Sequence, residues 1–571
     1  MIGRTPKAKA TAAIAAAGVL ALLSGCTVSS PETAPTPPPT SLTIGTVGEL
    51  TSFNPSTAAD ATSGNLAAQQ FLHESFAYIG DDLQVAGNTG FGEVERISDD
   101  PLTVVYTLND GRKWSDGKPV TLEDLMFGWA VNSGWFDDAS YDEAGNLISG
   151  TQYFDTAEKS DGFRDTSRAK LDTREGTLTL VYDEPFADWN RQWLLDRPLH
   201  TVAAKAGVTS AQIMQAIRET PQGDPGNPVA PNPVLLAAAQ AWQTGFEVDP
   251  AAPDLSAAVS NGPYMAESWS GDTLNLVRNP EYNGENYPAF DNLAVRYFPD
   301  QQAQLAAVRS GEVDMANLGN LTAPTIDRLE ASGATVLTGS RPHTLSLIFV
   351  DEGGRMDDNL REALALSLDR ERMVDESVRG TNPDAAPLRS FLSSPASGSA
   401  YDDIVANNGS PGNGADPDRA RDLLDGDTPQ VRIRYEPTDT VAADLFAEIA
   451  RMADEVGIDV RPAGDDDAAD AELVSSDVSG SLYEVARERV RRGAGGLEAV
   501  RALAQMREST DPEQVIQVAQ QVDRALFDDH YGVPLVALSG VIAHTDAVRD
   551  VVYTASEWEG PSEFWSWQPN D

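Results

Sequence analysis

Cysteine is almost absent from this sequence: 571 residues contain one, Cys26. A single thiol cannot form an intramolecular disulfide, so buried apolar side chains must hold the fold together. Hydrophobic residues make up 41 % of the chain, which is enough for a large core. The sequence therefore excludes a small scaffold stabilised by disulfides.

Positive charge is also scarce. The chain has 41 lysines and arginines against 88 aspartates and glutamates, a formal net charge of −47. Such a charge repels nucleic acid and anionic lipid headgroups, so we predict no nucleic-acid partner. The net charge excludes this class of partner but does not indicate any particular function.

The sequence has few of the features of an enzyme. It contains no Gly-x-Ser-x-Gly motif and no His-Glu-x-x-His motif. Its five histidines are scattered along the chain: His73, His200, His343, His530 and His544. We therefore predict no catalytic residue, no cofactor and no metal site, although the many carboxylates leave a glycosidase pair open.

Long hydrophobic runs are missing except near the amino terminus. Arg4, Lys7 and Lys9 precede an almost wholly apolar run at residues 10–23, as in a secretory signal segment. Because the run is shorter than the roughly 20 residues that span a bilayer, it does not favour a permanent transmembrane helix. The residues "LSGC" that follow resemble a bacterial lipobox, which predicts cleavage before Cys26 and lipidation of its sulfur. An ordinary signal peptide with an incidental cysteine is the alternative.

A tether follows the predicted lipid anchor. The segment "TVSSPETAPTPPPTS" is rich in proline, serine and threonine and favours an extended polyproline conformation. Ordered structure should begin with "SLTIGTV", where Leu42 and Ile44 alternate with polar residues as in a strand.

The rest of the chain alternates strand-like and helix-like segments, which predicts an α/β fold. Thr121 and Asp124 have the spacing of a capping box at a helix start. A single helix is predicted from residue 357 to a cap at Gly380. Trp114 and Trp129 are predicted to be core residues rather than ligand contacts.

Several stretches resemble one protein family. The segment "YTLNDGRKWSDGKPVTLEDLMFGW" is similar to the family 5 extracellular solute-binding proteins, the dipeptide- and oligopeptide-binding components of ABC importers. Four further stretches agree with it: "NGPYMAESWSGDTLNLVRNPEYNG", "YFPDQQAQLAAVRSGEVDMANL", "RMDDNLREALALSLDRERMV" and "YGVPLVAL". A lipidated amino terminus is also typical of Gram-positive members.

This resemblance implies a two-lobed α/β fold of the periplasmic-binding-protein type (type II, the large cluster), with mixed sheets flanked by helices, an extra subdomain and a hinge between the lobes. The predicted division is a signal peptide at 1–25, a tether at 26–41, lobe I at 42–80, its inserted subdomain at 81–195, lobe I again at 196–268, lobe II at 269–540 and a return to lobe I at 541–571. A ligand would be enclosed between the lobes by hinge closure.

The resemblance also suggests ligand contacts. In peptide-binding relatives a strand near the mature amino terminus pairs with the extended ligand, and here that position corresponds to Leu50, Thr51, Ser52 and Phe53. Relatives bind the ligand's α-amino group through a carboxylate, and Asp477 stands in the corresponding stretch. The tryptophan and the Asp-Pro pair of that loop are absent, so this side of the pocket is predicted to be remodelled.

A further departure concerns the other end of a ligand. Some dipeptide binders have an arginine after the strand preceding "FAEIARMADEVGI", and this sequence has Glu436 there with Arg434 beside it. A carboxylate at that position would repel a ligand carboxylate, which favours a longer, cationic or non-peptide ligand over a free dipeptide.

The resulting prediction is a monomeric, lipid-anchored, extracellular binding protein that delivers a small ligand, with an oligopeptide favoured, to ABC permease and ATPase subunits. Oligosaccharide binding is the main alternative, because aromatic side chains could line a sugar cleft. The candidates are Trp135, Phe136, Trp189, Trp193, Trp558, Trp565 and Trp567. Metal-chelate binding and a non-transport role in the cell envelope stay open.

Overall fold

The first strand begins at Ser41, where the alternation in "SLTIGTV" predicts it. The computed structural model describes residues 40–142, 147–157, 161–191, 194–249, 253–412, 414–464, 467–491, 493–555 and 563–570. The predicted signal peptide, Cys26 and nearly all of the tether lie outside these ranges, as do Trp193 and Trp558.

Strands occur along the whole described chain. They are β1 (Ser41–Val47), β2 (Ala77–Ile79), β3 (Val85–Gly87), β4 (Gly92–Asp99), β5 (Leu102–Leu108), β6 (Ser140–Tyr141), β7 (Leu147–Ser149), β8 (Lys170–Asp172), β9 (Thr177–Val181), β10 (Tyr264–Ser270), β11 (Thr273–Arg278), β12 (Asn292–Phe298), β13 (Met315–Leu318), β14 (Thr335–Phe349), β15 (Gln430–Arg434), β16 (Asp459–Pro462), β17 (Ala471–Asp477), β18 (Gly532–His544), β19 (Val548–Arg549) and β20 (Gln568–Pro569).

Helices alternate with these strands. They are α1 (Ser63–Leu72), α2 (Leu122–Asn132), α3 (Asp161–Arg164), α4 (Leu199–Lys205), α5 (Ser210–Glu219), α6 (Pro233–Thr244), α7 (Gln301–Ser310), α8 (Ala323–Ala331), α9 (Asp358–Ser367), α10 (Arg370–Ser377), α11 (Ser399–Asn407), α12 (Pro417–Leu424), α13 (Thr440–Val456), α14 (Leu482–Arg491), α15 (Gly496–Glu508) and α16 (Pro512–Asp528). The predicted α/β class is confirmed.

One large mixed sheet runs through the fold, in the order β10-β11-β12-β1-β13-β18-β14-β17-β15-β16. Strand β1 is parallel to both of its neighbours, β12 and β13, whereas β18 is antiparallel to β13 and to β14. Strands β11, β12 and β13 belong to the same half of this sheet as β1. The lobe boundaries stay a prediction.

Strands β14 and β18 are long, lie in the middle of the large sheet and connect its two halves by pairing with each other. Their pairing slips between Ser340 and Thr344 of β14, which face Ser539 and Ala537 of β18. Residues 341–343 therefore form a bulge opposite a single residue. A bulge bends the strand and redirects side chains. The pairing is therefore irregular at residues 340–344 of β14 and 537–539 of β18, and this point is called the crossing of β14 and β18.

A smaller sheet, with strand order β4-β5-β9-β8, supports helix α2. The predicted capping box is confirmed, since Thr121 and Asp124 exchange both hydrogen bonds. Trp114 and Trp129 are fully buried, and the Trp129 Nε1 donates to the Thr166 hydroxyl at 3.1 Å. The prediction that these tryptophans are core residues is confirmed.

The helices α14–α16 pack against the same region of the chain. The Ser481 hydroxyl donates to the Asp188 carboxylate at 2.6 Å, and the Trp189 Nε1 donates to the Thr510 carbonyl at 3.0 Å. Burial raises the pKa of Asp188 to about 6. These contacts connect the predicted inserted subdomain with a segment more than 290 residues away in sequence.

One helix prediction is wrong. The segment expected to form a single helix ending at Gly380 forms two, α9 and α10, and the second ends with Val378 as its cap. The Asp369 side chain accepts a hydrogen bond from the backbone N–H of Arg372 and so begins a new helix. A strong N-cap residue inside a helical pattern favours this interruption.

Candidate functional site

A cavity of about 300 Å³ lies at the carboxyl ends of the parallel strands β1 and β13. In open α/β sheets ligands bind in the crevice outside these strand ends, and this volume is at the lower end of the range for ligand pockets. The lining residues are Ile44, Gly45, Thr46, Val47, Ser63, Ala67, Phe71, Val295, Gln301, Gln304, Met315, Asn317, Gly319 and Arg341.

Helix α1 forms one side of the cavity. Ser63, Ala67 and Phe71 are four residues apart, so the 3.6-residue period of the helix places them on one face. The helix begins after Thr62, whose hydroxyl accepts a hydrogen bond from the backbone N–H of Asn65 at 3.4 Å. This side is apolar except at its amino-terminal end.

Helix α7 supplies amide groups on another side. Asp300 caps the helix, and Gln301 and Gln304 follow in its first turns. Gln304 is 2 % exposed, and its Nε2 donates to the Gly45 carbonyl at 2.9 Å and to the Asn317 carbonyl at 3.2 Å. It therefore connects β1 with β13, while the Gln301 Nε2 lies 2.9 Å from the position that a Cβ on Gly319 would occupy.

Arg341 is the one residue with a formal charge among the described residues that line the cavity. It comes from the bulge of β14, and its backbone carbonyl accepts a hydrogen bond from the Ser394 hydroxyl at 3.2 Å. Two glycines make room for its side chain: a Cβ on Gly540 would lie 2.8 Å from the Arg341 Cγ, and a Cβ on Gly319 would lie 3.2 Å from Nη1. The bulge and the glycines together direct a cation toward the cavity.

Three of the four predicted contacts at residues 50–53 are buried. Leu50, Ser52 and Phe53 are at most 4 % exposed, whereas Thr51 is exposed. This segment pairs with residues 246–248, because the Phe53 N–H donates to the Phe246 carbonyl at 2.9 Å and the Val248 N–H donates to the Thr51 carbonyl at 2.7 Å. None of the four lines the cavity, and their contact with ligand stays a prediction.

Glu436 and Asp477 lie at or just after the ends of two different strands. Glu436 is exposed after β15, and it accepts hydrogen bonds from the Thr438 hydroxyl at 2.6 Å and the Thr438 N–H at 3.0 Å, which lower its pKa. Asp477 ends β17, faces His343 in the register with β14 and accepts from the Ser479 N–H at 2.8 Å. Neither residue lines the cavity, so their predicted roles are likewise untested by this geometry.

The described aromatic side chains among those considered for sugar binding do not line the cavity. Trp135 and Phe136 are buried against Trp129, with ring centroids 5.6 and 5.9 Å away from it. Trp567 is 1 % exposed. Among the described lining residues the aromatic one is Phe71, whose ring contacts that of Phe564 edge-on at a centroid distance of 4.9 Å.

Within the described ranges of the chain, no three His, Cys, Asp or Glu side chains are grouped so that they could hold a metal ion. None of the helices there combines the length and hydrophobicity that a membrane crossing requires.

Residues 89–484 match the sequence profile of the bacterial extracellular solute-binding proteins, family 5, middle region. The chain belongs to this family. The resemblance predicted from the motifs is therefore confirmed. Family 5 proteins bind small ligands and deliver them to ABC permeases; they form a family of binding proteins rather than of enzymes.

Curated relatives of this family 5 protein include lipoproteins and a peptide-binding protein. An uncharacterized lipoprotein of Mycobacterium leprae is 26 % identical over 428 residues, which cover 72 % of this chain and 68 % of the relative. The oligopeptide-binding protein OppA of Bacillus subtilis is 24 % identical over 348 residues, covering 60 % of this chain and 55 % of OppA.

Solved structures share the fold. The periplasmic EDTA-binding protein EppA superposes with a TM-score of 0.71 at 18 % sequence identity, covering 93 % of this chain and 96 % of EppA. At this identity the likeness concerns the fold alone. It confirms the predicted periplasmic-binding-protein architecture.

None of the described residues that line the cavity was predicted from the sequence to contact ligand. Gln301 and Gln304 stand within "YFPDQQAQLAAVRSGEVDMANL", a stretch that indicated the family but no ligand contact. A signal existed at residues 341–343, because a proline follows an arginine within the long strand β14, where its pairing with β18 shifts. Proline within a long strand is typical of a bulge or an edge.

Proposed function

We propose that this protein captures a small ligand, with an oligopeptide as the first candidate, in the cavity at the ends of β1 and β13 and delivers it to an ABC permease. The observation that supports this most directly is the cavity at the carboxyl ends of parallel strands in a chain of family 5. The relative OppA, which is an oligopeptide-binding protein by name, supports an oligopeptide as the first candidate ligand.

In this proposal the crossing of β14 and β18 acts as the hinge. The register slip between Ser340 and Thr344 interrupts the pairing there, so small changes in backbone angles can alter the orientation of the two halves. Closure would exclude water and strengthen the hydrogen bonds to ligand.

A metal chelate with carboxylate groups is the second candidate. Arg341 in the cavity favours it, because a guanidinium matches carboxylate geometry. EppA, the structural neighbour named above, is an EDTA-binding protein by name. Oligosaccharide binding is less favoured, because Trp135, Phe136 and Trp567 are buried in the core.

A ligand screen tests the proposal. We expect peptides or chelates, added at 100 times their dissociation constant, to raise the free energy of unfolding by about 2.7 kcal/mol. The ten tryptophans allow unfolding to be followed by intrinsic fluorescence. Binding of oligosaccharides alone would replace the peptide candidate, and substrate turnover by the purified protein would contradict a binding function.

We further propose that Cys26 anchors the protein to the outer face of the cytoplasmic membrane through lipid. The "LSGC" stretch and the lipoprotein relatives support this, and attachment by more than one acyl chain would make the anchoring stable. Cleavage removes Arg4, Lys7 and Lys9, so the mature formal charge changes from −47 to −50.

Replacing Cys26 should release the protein. We expect Cys26→Ala to move most of the chain from the membrane fraction to the culture medium or to leave the precursor uncleaved, because no other cysteine can accept lipid. Mass spectrometry of the membrane-bound form should show an acylated amino-terminal peptide. A free thiol within an uncut leader in the unsubstituted protein would contradict the anchor.

A further inference from the structure

Helices α14–α16 are attached at both ends to one half of the large sheet. The chain enters α14 from β17 and leaves α16 into β18, and both strands pair there within residues 343–349 of β14. The small sheet β4-β5-β9-β8 comes from another part of the chain, between β1 and β10, which both lie in the other half. A contact between these helices and the region of the small sheet therefore joins the two halves a second time, in addition to the crossing of β14 and β18.

The centre of this contact is buried. The Ser481 hydroxyl, just before α14, donates to the Asp188 carboxylate at 2.6 Å, and the two residues are 4 % and 8 % exposed. The rings of Phe186 and Tyr483 meet edge-on with centroids 5.9 Å apart. Phe186 and Asp188 follow β9 of the small sheet, so both interactions join that region to α14. Water is excluded from the centre only while these side chains stay together.

The rim of the contact contains an arginine and two carboxylates. Arg507 of α15 pairs with Asp165 at 2.6 Å and with Glu184. The side chains of Asp165 and Glu184 are 44 % and 67 % exposed, so water screens both pairs. Exposed ion pairs contribute little to stability for this reason. These groups can therefore separate and become hydrated at small cost.

Thr510, between α15 and α16, adds further polar interactions. Its carbonyl accepts hydrogen bonds from the Arg96 guanidinium at 2.9 Å and the Trp189 indole at 3.0 Å, and its hydroxyl donates to the Asp99 carboxylate at 3.2 Å. Water can replace each of these partners when the two surfaces separate. The named hydrogen bonds and ion pairs make this contact polar, as in interfaces between domains that move relative to each other.

We infer that this contact, made by Ser481, Tyr483, Arg507 and Thr510 on the helical side, is a latch. Helices α14–α16 separate from the region of the small sheet while both keep their fold, and this opening controls how often the two halves part to admit ligand. The inference rests on the proposed binding function, because it describes how a ligand reaches the cavity, but its test needs no ligand.

Thiol labelling measures this opening. Cys26 is the only cysteine in the sequence, so in the full chain carrying Cys26→Ala an introduced cysteine is the single reporter thiol. Ser481→Cys places the reporter in the latch. Ser367→Cys is the matched control, because Ser367 is equally buried, at 4 % exposure, but lies on α9 outside the latch. Each protein is purified in detergent and labelled under native conditions with an aromatic disulfide reagent.

We expect Ser481→Cys to react about 10- to 100-fold faster than Ser367→Cys, because local opening is more frequent than global unfolding. Arg507→Met should speed up the labelling of Ser481→Cys about 3- to 10-fold by removing the rim pairs, and should leave that of Ser367→Cys unchanged. Arg501→Met is the charge control, since Arg501 is an exposed arginine on α15 outside the latch, and it should change neither rate. Thermal unfolding shows whether each variant is folded.

Hydrogen exchange provides a second measurement that replaces no serine of the latch. In the chain without an introduced cysteine, the backbone amides of residues 184–191 should exchange faster in Arg507→Met than in Arg501→Met, because they lie on the other side of the latch from α15. Equal exchange in the two variants would contradict the latch.

Other results would also overturn the inference. Equal labelling rates for Ser481→Cys and Ser367→Cys, or an equal effect of Arg507→Met on both, would show that the helices separate only when the whole protein unfolds. If a ligand binds in the screen and the latch reporter stays protected, the binding function stands and the latch is wrong. If the reporter is labelled as expected and no peptide, chelate or oligosaccharide binds, the contact opens as inferred and the proposed function fails.

Discussion

Replacing Arg112 by methionine is expected to lower the free energy of unfolding by about 3–5 kcal/mol, because it leaves a buried carboxylate without its cation. Arg112 forms an ion pair with Glu74, and the two side chains are only 4 % and 6 % exposed. Glu74 also accepts hydrogen bonds from the Asn88 amide at 2.9 Å and the Tyr282 hydroxyl at 2.8 Å. These two neutral donors remain in the variant but cannot replace the charge.

The loss should depend on pH. Burial raises the pKa of Glu74, and Arg112 opposes that effect, so its removal raises the folded-state pKa further. A carboxyl group with a raised folded-state pKa contributes stability below its unfolded pKa and loses it as the pH rises through the folded value. The deficit of the variant should therefore be largest near neutral pH and shrink toward pH 5, as measured by urea unfolding.

Arg451→Met provides the control for this experiment. Arg451 pairs with Glu448 at 2.9 Å on the surface of α13, and its side chain is 36 % exposed. Exposed pairs contribute about 0–1 kcal/mol, so we expect a change within about 0.5 kcal/mol. Equal losses in the two arginine variants would contradict the importance of burial at Glu74.

Replacing Gly128 by alanine is expected to destabilise the protein by about 3 kcal/mol, because the new methyl group would overlap the backbone of Leu194. Gly128 lies within α2, and a Cβ there would collide with the Leu194 carbonyl oxygen. Helix propensity acts in the opposite direction, since alanine is favoured over glycine in a helix interior by about 1 kcal/mol. The sign of the change thus separates packing from propensity.

The matched control is Gly87→Ala. Gly87 ends β3, and a Cβ there would meet no atom within 4 Å. We expect a change of no more than about 0.5 kcal/mol at this position. Chemical denaturation of both variants measures the difference, and a Gly128→Ala variant as stable as the unsubstituted protein would show that α2 can move away from Leu194.

Gly128 lies in the motif "YTLNDGRKWSDGKPVTLEDLMFGW", which indicated the family, joins β5 to α2 and includes the buried Trp114 and Trp129. These residues meet steric and packing requirements of the fold. They do not line the cavity, so the same motif predicts the architecture but not the ligand.

Local chemistry allowed much of the secondary structure to be predicted. The capping box that the spacing of Thr121 and Asp124 predicts is present at the start of α2. Gly311 and Gly457 end α7 and α13 in the left-handed conformation that favours glycine. These signals act within one helical turn. The prediction of a single helix up to Gly380 is wrong because Asp369 caps the start of a second helix. A hydrophobic period alone does not show whether such a segment forms one helix or two.

The sequence by itself determined the family, the α/β class, the strongly negative charge, the dependence on a packed core without disulfides and the positions of many helix ends. Only the tertiary structure decided that Ile44, Gln301, Asn317 and Arg341 share one cavity, because strand pairing and a bulge bring together residues almost 300 positions apart. Caps and periodicities depend on neighbours within a few residues, whereas a ligand cavity depends on the register of distant strands, which no local pattern encodes.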